Sequence, residues 1–277
     1  MKLWKYGICL LTAACLLSGC TGKEEPDSAA EEPVRPDYYV GVEEANAPYY
    51  TLNDQGTASG FYVDLMNTLS ERGGFSYEFR AMSAAGYAAQ GAMSAITDSD
   101  TQTADPACDL FLGTLEPEVG EGDAFVLSEP ICETGLCVLI PKGEGIRSTK
   151  QLRSRLIASR AMTEEAVFSE YLAASYDAET ITFQNGADVF ADMTEGYADA
   201  VISDAANAAL LLQQNPNTKL LLTSKKYHNL HRFAGTAASG LPEEITGTLE
   251  AIRADGTLDA LLSQYGLVGT AGTQAAD

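Results

Sequence analysis

The sequence predicts an α/β fold in which short strands alternate with helical crossovers. Three observations carry this reading. A strand-forming run, Tyr39, Val40 and Val42, gives way to a polar loop. After Gly60 the apolar residues Tyr62, Leu65, Met66 and Leu69 recur at i, i+3, i+4 and i+7, the stripe of a half-buried helix. Phe75, Tyr77 and Phe79 then alternate with Ser76, Glu78 and Arg80, which completes a βαβ unit. The loop after the first strand gathers Glu43, Glu44, Asn46, Tyr49 and Tyr50 at a strand's carboxyl end, where open α/β sheets bind ligands.

Taken from the start, Lys2 and Lys5 precede an apolar run over residues 8–17, and Leu17-Ser18-Gly19 stands before Cys20. This is the pattern of a lipoprotein secretion signal over residues 1–20, too short for a span of about 20 apolar residues, with Cys20 as the expected lipidation site. Residues 21–36 are acidic, polar and proline-bearing and read as a flexible tether. The formal charge of −22 becomes −24 when Lys2 and Lys5 leave with the signal. Such a surface argues against nucleic acid or anionic lipid as a partner.

Asp109, Leu110, Phe111 and Leu112 form the next strand, after an Ala-, Ser- and Thr-rich stretch whose residues 98–107 read as a surface loop. Further strands are expected at 156–159, 180–183, 219–223 and 231–237. Thr163 is placed to cap a helix containing Val167, Tyr171 and Leu172, and residues 187–197 carry Val189, Phe190 and Met193 on one helical side. Residues 241–252 place Ile245, Leu249 and Ile252 on one face. Asp204 stands before a helix over 205–213, in position to be its N-cap. Of the cysteines outside the signal and Cys20, Cys108, Cys132 and Cys137 remain, and pairing of Cys132 with Cys137 and three free thiols both stay open. There is no Gly-x-Ser-x-Gly, P-loop or His-Glu-x-x-His motif, and no metal site or cofactor is expected.

Several separated motifs resemble, in order, the extracellular solute-binding proteins of the amino-acid type, family 3. They are Gly41, Glu44, Ala47-Pro48-Tyr49, Gly60-Phe61 with Asp64-Leu65, then Leu127-Ser128-Glu129-Pro130, and finally Ala198-Asp199-Ala200 running to Asp204. Arg253-Ala254-Asp255-Gly256-Thr257-Leu258, continuing to Tyr265-Gly266, is similar to the family's closing signature. The resemblance implies a two-lobed periplasmic-binding-protein-like fold of type II with two crossing hinge strands. Lobe 1 would comprise 37–127 with 228–266 and lobe 2 would comprise 137–223. The crossings would lie at 128–136 and 224–227, with a tail at 267–277.

It further implies a monomeric binding protein, not an enzyme, lipid-anchored on the outer face of the cell membrane. It would deliver a small polar solute to an ABC permease. An enzyme on the same scaffold, of the cyclohexadienyl dehydratase kind, and a transporter-independent sensor are the alternatives. The expected ligand set is Glu44, Tyr49, Thr114, Glu116, Glu121, Arg160, Met162, Thr163 and Asp204. Counted without gaps, Glu121 falls where the family keeps the arginine that clamps a ligand carboxylate, and Arg160 is the candidate substitute. The sign reversal points to an amine-bearing solute other than a standard amino acid.

Overall fold

Strand β1 (Tyr38–Val42) pairs in parallel with β4 (Tyr77–Ala81) on one side and β5 (Leu110–Thr114) on the other. The crossover from β1 to β4 is α1 (Phe61–Gly73), as its spacing predicts, and it buries Phe61, Tyr62, Leu65, Met66 and Leu69. Gly74 ends it in the left-handed conformation, φ 73, with its amide on the Ser70 carbonyl. The structure is a computed structural model that describes residues 35–96, 108–115 and 125–267. The expected signal and Cys20, the 98–107 loop, Glu116, Glu121 and the tail beyond 267 lie outside the described residues.

Among the described residues one sheet holds nine strands, eight of them in the order β4-β1-β5-β11-β7-β10-β8-β9. Here β6 is Phe125–Leu127, β7 Cys132–Pro141, β8 Leu156–Arg160, β9 Glu179–Phe183, β10 Ala200–Asp204 and β11 Thr218–Thr236. Strand β6 pairs with β11 off that path. A hairpin of β2 (Thr51–Leu52) and β3 (Ala58–Ser59) stands apart. The helices after α1 are α2 (Ala84–Ile96), α3 (Glu164–Tyr176), α4 (Gly186–Thr194), α5 (Ala205–Gln214), α6 (Glu243–Ala254) and α7 (Thr257–Gln264).

Two strands at the centre, β7 and β11, carry the chain between the halves. Their antiparallel register runs from Thr218 opposite Pro141 to His231 opposite Cys132, with a shift between Thr223 and His228. The sequence predicts two separate returning strands here, and the structure shows one strand of 19 residues interrupted by that bulge. The polar run Ser224-Lys225-Lys226 forms the bulge, with the Ser224 hydroxyl accepting from the Lys226 and Tyr227 amides.

Each half has its own core. On one side Val40, Leu65, Leu112, Phe233, Ile245 and Ile252 pack together. On the other, Val138, Ile157, Phe168 and Ile202 fill one face of the sheet, and Leu139, Val189, Phe190 and Val201 fill the opposite face. Alternation of Val138 with Leu139 and of Val201 with Ile202 sends successive side chains into the two layers.

Helix α2 was not legible as a helix. Its sequence, AAGYAAQGAMSAI, has too few large apolar residues for a periodic stripe, and alanine propensity sustains it instead. Tyr87 anchors it, fully buried, donating to the Ala234 carbonyl at 3.0 Å. All three expected thiols, Cys108, Cys132 and Cys137, are free and buried, which removes the bridged alternative.

Candidate functional site

The loop from Glu43 to Tyr50 is folded back on the start of α1. The Phe61 and Tyr62 amides donate to the Pro48 and Tyr49 carbonyls at 3.0 and 2.9 Å. Gly60 makes this approach feasible: its φ is 126, and a Cβ there would lie 2.4 Å from the Tyr49 carbonyl oxygen. Tyr49 is thereby held inside, 0% exposed, with its ring stacked on His231 at 4.2 Å between centroids. Its hydroxyl crosses to the other half and donates to Asp204 Oδ1 at 2.9 Å.

Asp204 ends β10 and caps α5. Its Oδ1 also accepts from the Ala206 and Asn207 amides, both at 3.0 Å. The expected cap is present, and among the described residues no hydrogen bond reaches Oδ2. Burial raises the Asp204 carboxyl above its usual range, and the Asn207 amide opposes that.

Arg160 is buried rather than exposed. Its Nε and Nη2 form a fork on Glu165 at 2.8 and 2.5 Å, and Nη1 reaches Glu43 in the other half. Burial works against the guanidinium charge, but Glu165 and then Glu43 outweigh it and hold its pKa above the ordinary value. The Glu43 carboxyl is pushed up by burial, with Arg160 opposing. Asn229 donates from Nδ2 to Glu165 Oε1 at 3.1 Å. Two buried carboxylates, Glu43 and Glu165, thus hold one buried cation, and a third, Asp204, lies within its electrostatic reach.

His231 adds no charge to this cluster. Its ring lies between the Tyr62 hydroxyl, 2.6 Å from Nδ1, and the Thr134 hydroxyl, 3.2 Å from Nε2. Burial, then the Arg160 charge, pulls its pKa down to about 3. Between pH 3 and about 6.5 the unfolded chain binds this proton and the folded chain does not, so stability is complete above that window and falls with pH inside it. The stability difference between wild type and His231→Asn is therefore expected to shrink by up to about 1.4 kcal/mol per unit as pH drops from 6.5 towards 4. Urea titrations at several pH values read this slope. Glu43 and Asp204, whose raised pKa values act in the opposite sense, are common to both proteins and cancel. A difference that stays flat with pH would show that His231 is protonated in the fold.

The other expected ligand residues are dispersed. Glu44 is exposed at the edge of an open pocket of about 400 Å³ that also touches Glu43, Met82, Ser83 and Gln184. The acidic residue that enters the interior is Glu43, one position earlier, which the sequence reading passed over. Thr163 occupies the N-cap position of α3, but its hydroxyl donates to the Arg160 carbonyl at 3.0 Å and makes no side-chain cap, a correction to the expected capping. Met162 adopts φ 59, a left-handed conformation that is costly for a residue with a Cβ. The Thr114 hydroxyl is buried without a hydrogen-bond partner among the described residues, as is Asn229 Oδ1. Both line a pocket of about 310 Å³ with Leu127, Glu133 and Arg232.

Residues missed by the sequence reading are Glu43, Tyr62, Thr134, Glu165, Asn229 and His231. Glu43 lies in the loop just after β1 and the others on strands and helices distant in sequence, so only the fold supplies their convergence. The signal that was available is the parity of Asn229 with His231 on an extended segment, which puts both on one face.

Among the described residues no helix is long and apolar enough to cross a membrane, and no cluster of three or more His, Cys, Asp or Glu is arranged to hold a metal. The chain is 23% identical, over 269 residues that cover 96% of each protein, to a probable histidine-binding protein of Neisseria gonorrhoeae. Its fold matches the arginine-, lysine-, histidine-binding protein ArtJ of Geobacillus stearothermophilus with a TM-score of 0.67 at 18% identity, over 82% of this chain and 94% of that one. It also matches the ancestral amino acid-binding protein AncCDT-1, a precursor of cyclohexadienyl dehydratase, with a TM-score of 0.63 at 21% identity, over 82% and 94% of the two chains. These structures share the two-lobed architecture. Residues 38–268 match the bacterial extracellular solute-binding proteins, family 3, and the chain belongs to that family.

Proposed function

We propose that this solute-binding protein captures a small solute carrying a positively charged amino group and hands it to an ABC permease. The observation that carries the reading is the charge balance of the buried cluster. Glu43, Glu165 and Asp204 face a single guanidinium and a neutral His231, so a bound cation offsets negative charge that burial disfavours. A carboxylate brought close to this cluster meets repulsion on the order of 1–4 kcal/mol per near pair. Arg160 has its fork on Glu165 and its remaining nitrogen on Glu43, so it offers a ligand carboxylate no free pair of donors unless Glu43 leaves. Relatives named for histidine, arginine and lysine support a site of this sign.

The reading assigns lobe 1 to 37–127 with 228–266 and lobe 2 to 137–223, joined through β7 and β11, with the solute held between them. Asp204 Oδ2 is the proposed acceptor for the amino group. Thermal melts with added amines and, separately, with acetate and neutral amides test the assignment, because a ligand bound only by the folded state raises the melting temperature. Stabilisation by amines that disappears in Asp204→Asn is the expected result. Stabilisation by carboxylates alone would refute the charge argument, and turnover of the bound solute would move the protein to the enzyme class.

The lipid anchor on Cys20 is part of the same proposal, motivated by Leu17-Ser18-Gly19-Cys20. A diacyl group provides the two hydrophobic signals that stable attachment needs. Cys20→Ala is expected to release the protein from the membrane fraction or leave it unprocessed. Normal processing with full membrane retention would rule the anchor out.

A further inference from the structure

A groove of about 350 Å³ runs beside the charged cluster, between α4 and α5. On α5 it is lined by Asp204, Asn207, Leu211, Gln214 and Asn215, whose spacing is that of one helical face from the N-cap to the C-cap. The groove therefore follows the helix along its whole length, about 15 Å for a helix of this size. Opposite, α4 presents Gly186, Ala187 and Ala191, small residues that leave the space open, with Val189 and Phe190 as its apolar wall. The two ends differ chemically. At one end stands the buried carboxylate of Asp204, beside Glu165. At the other stand the neutral amides of Gln214 and Asn215, at the helix end that carries partial negative charge.

From this geometry we infer that the groove is an extension of the solute site and takes the body of a linear diamine, with one nitrogen on Asp204 and the other near Gln214 and Asn215. The inference rests on the amine reading above and adds to it the shape of the ligand. An aliphatic spacer lies between Phe190 and Leu211. A terminal carboxylate in place of the second nitrogen is disfavoured by the helix carbonyl end, whereas an N–H donor is accepted there. The centre between the lobes is filled by the Arg160 side chain with its two carboxylate partners, and the groove is the open volume that both Asp204 and Glu165 line.

Calorimetric titration of the purified protein with ethylamine, 1,5-diaminopentane and 5-aminopentanoate tests this. The expected result is that the diamine binds at least tenfold more tightly than either of the others. Ala191→Trp, at an exposed position on the groove wall, is expected to bring the diamine down to the level of ethylamine while the melting temperature of the free protein stays near that of wild type. Ala187→Leu narrows the same wall and serves if the tryptophan variant does not fold. Equal affinity for ethylamine and the diamine, or diamine binding untouched by both variants, would overturn the groove assignment and leave the amine site standing. Absence of binding by all three compounds, together with stabilisation by a carboxylate solute, would overturn both.

Discussion

Replacing Arg160 with methionine is expected to lower the stability of the folded chain by about 3–5 kcal/mol at pH 7.5, the cost of leaving buried charges without their partner. The side chains of Arg160, Glu43 and Glu165 are only 5%, 4% and 3% exposed, so water replaces none of the lost contacts. The loss should be smaller at pH 5.5. Burial raises the Glu43 carboxyl and Arg160 is what opposes it, so in the variant that carboxyl titrates still higher. A group whose folded pKa is raised contributes stability that is present at low pH and lost as pH rises. Urea denaturation at the two pH values measures the gap, and a companion variant with Glu43→Gln and Glu165→Gln should recover much of it. A loss below about 1 kcal/mol at pH 7.5 would mean that the ion cluster is solvated in solution.

Tyr49→Ala is expected to cost a further comparable amount, about 3–5 kcal/mol, as a large side chain removed from a filled interior. The ring contacts both His231 and Tyr62, at 4.2 and 5.5 Å between centroids, and its hydroxyl bonds Asp204 across the lobes. The resemblance put Tyr49 in the expected ligand set, a role in which its loss would weaken binding by roughly 1–3 kcal/mol and spare the fold. Complete burial favours the structural cost. Tyr49→Phe separates the two contributions, since it keeps the ring and removes one hydrogen bond, for a loss of about 1 kcal/mol. Thermal melts of both variants without ligand decide the matter: an alanine variant that melts like wild type but fails to bind would return Tyr49 to the ligand.

Much of the fold was legible because its elements announce themselves locally. The α1 stripe from Tyr62 to Leu69 and the paired aromatics of β4 are fixed by periodicity. What was hidden needed tertiary information. Helix α2 has no stripe to read, and β11 continues through a polar run because β7 supplies its hydrogen bonds on both sides of the bulge. The site shows the same division. Asp204 was found because a contiguous motif, Ala198-Asp199-Ala200 running to Asp204, marks it in the sequence. Glu43 was passed over for its neighbour because strand parity alone does not show which of two adjacent carboxylates meets Arg160, a residue 117 positions away.

The three buried thiols bear on how the protein endures outside the cell. Thiol–disulfide exchange and alkylation proceed through the thiolate, so reactivity follows the ionised fraction and access. Burial pushes Cys108 up to about 11, which leaves roughly three molecules in 10,000 ionised at pH 7.5, and it raises Cys132 and Cys137 as well. The described fold thus carries reduced sulfur through an oxidising medium without cross-links to form or protect. Access to these thiols therefore requires local unfolding of the strands whose cores bury them.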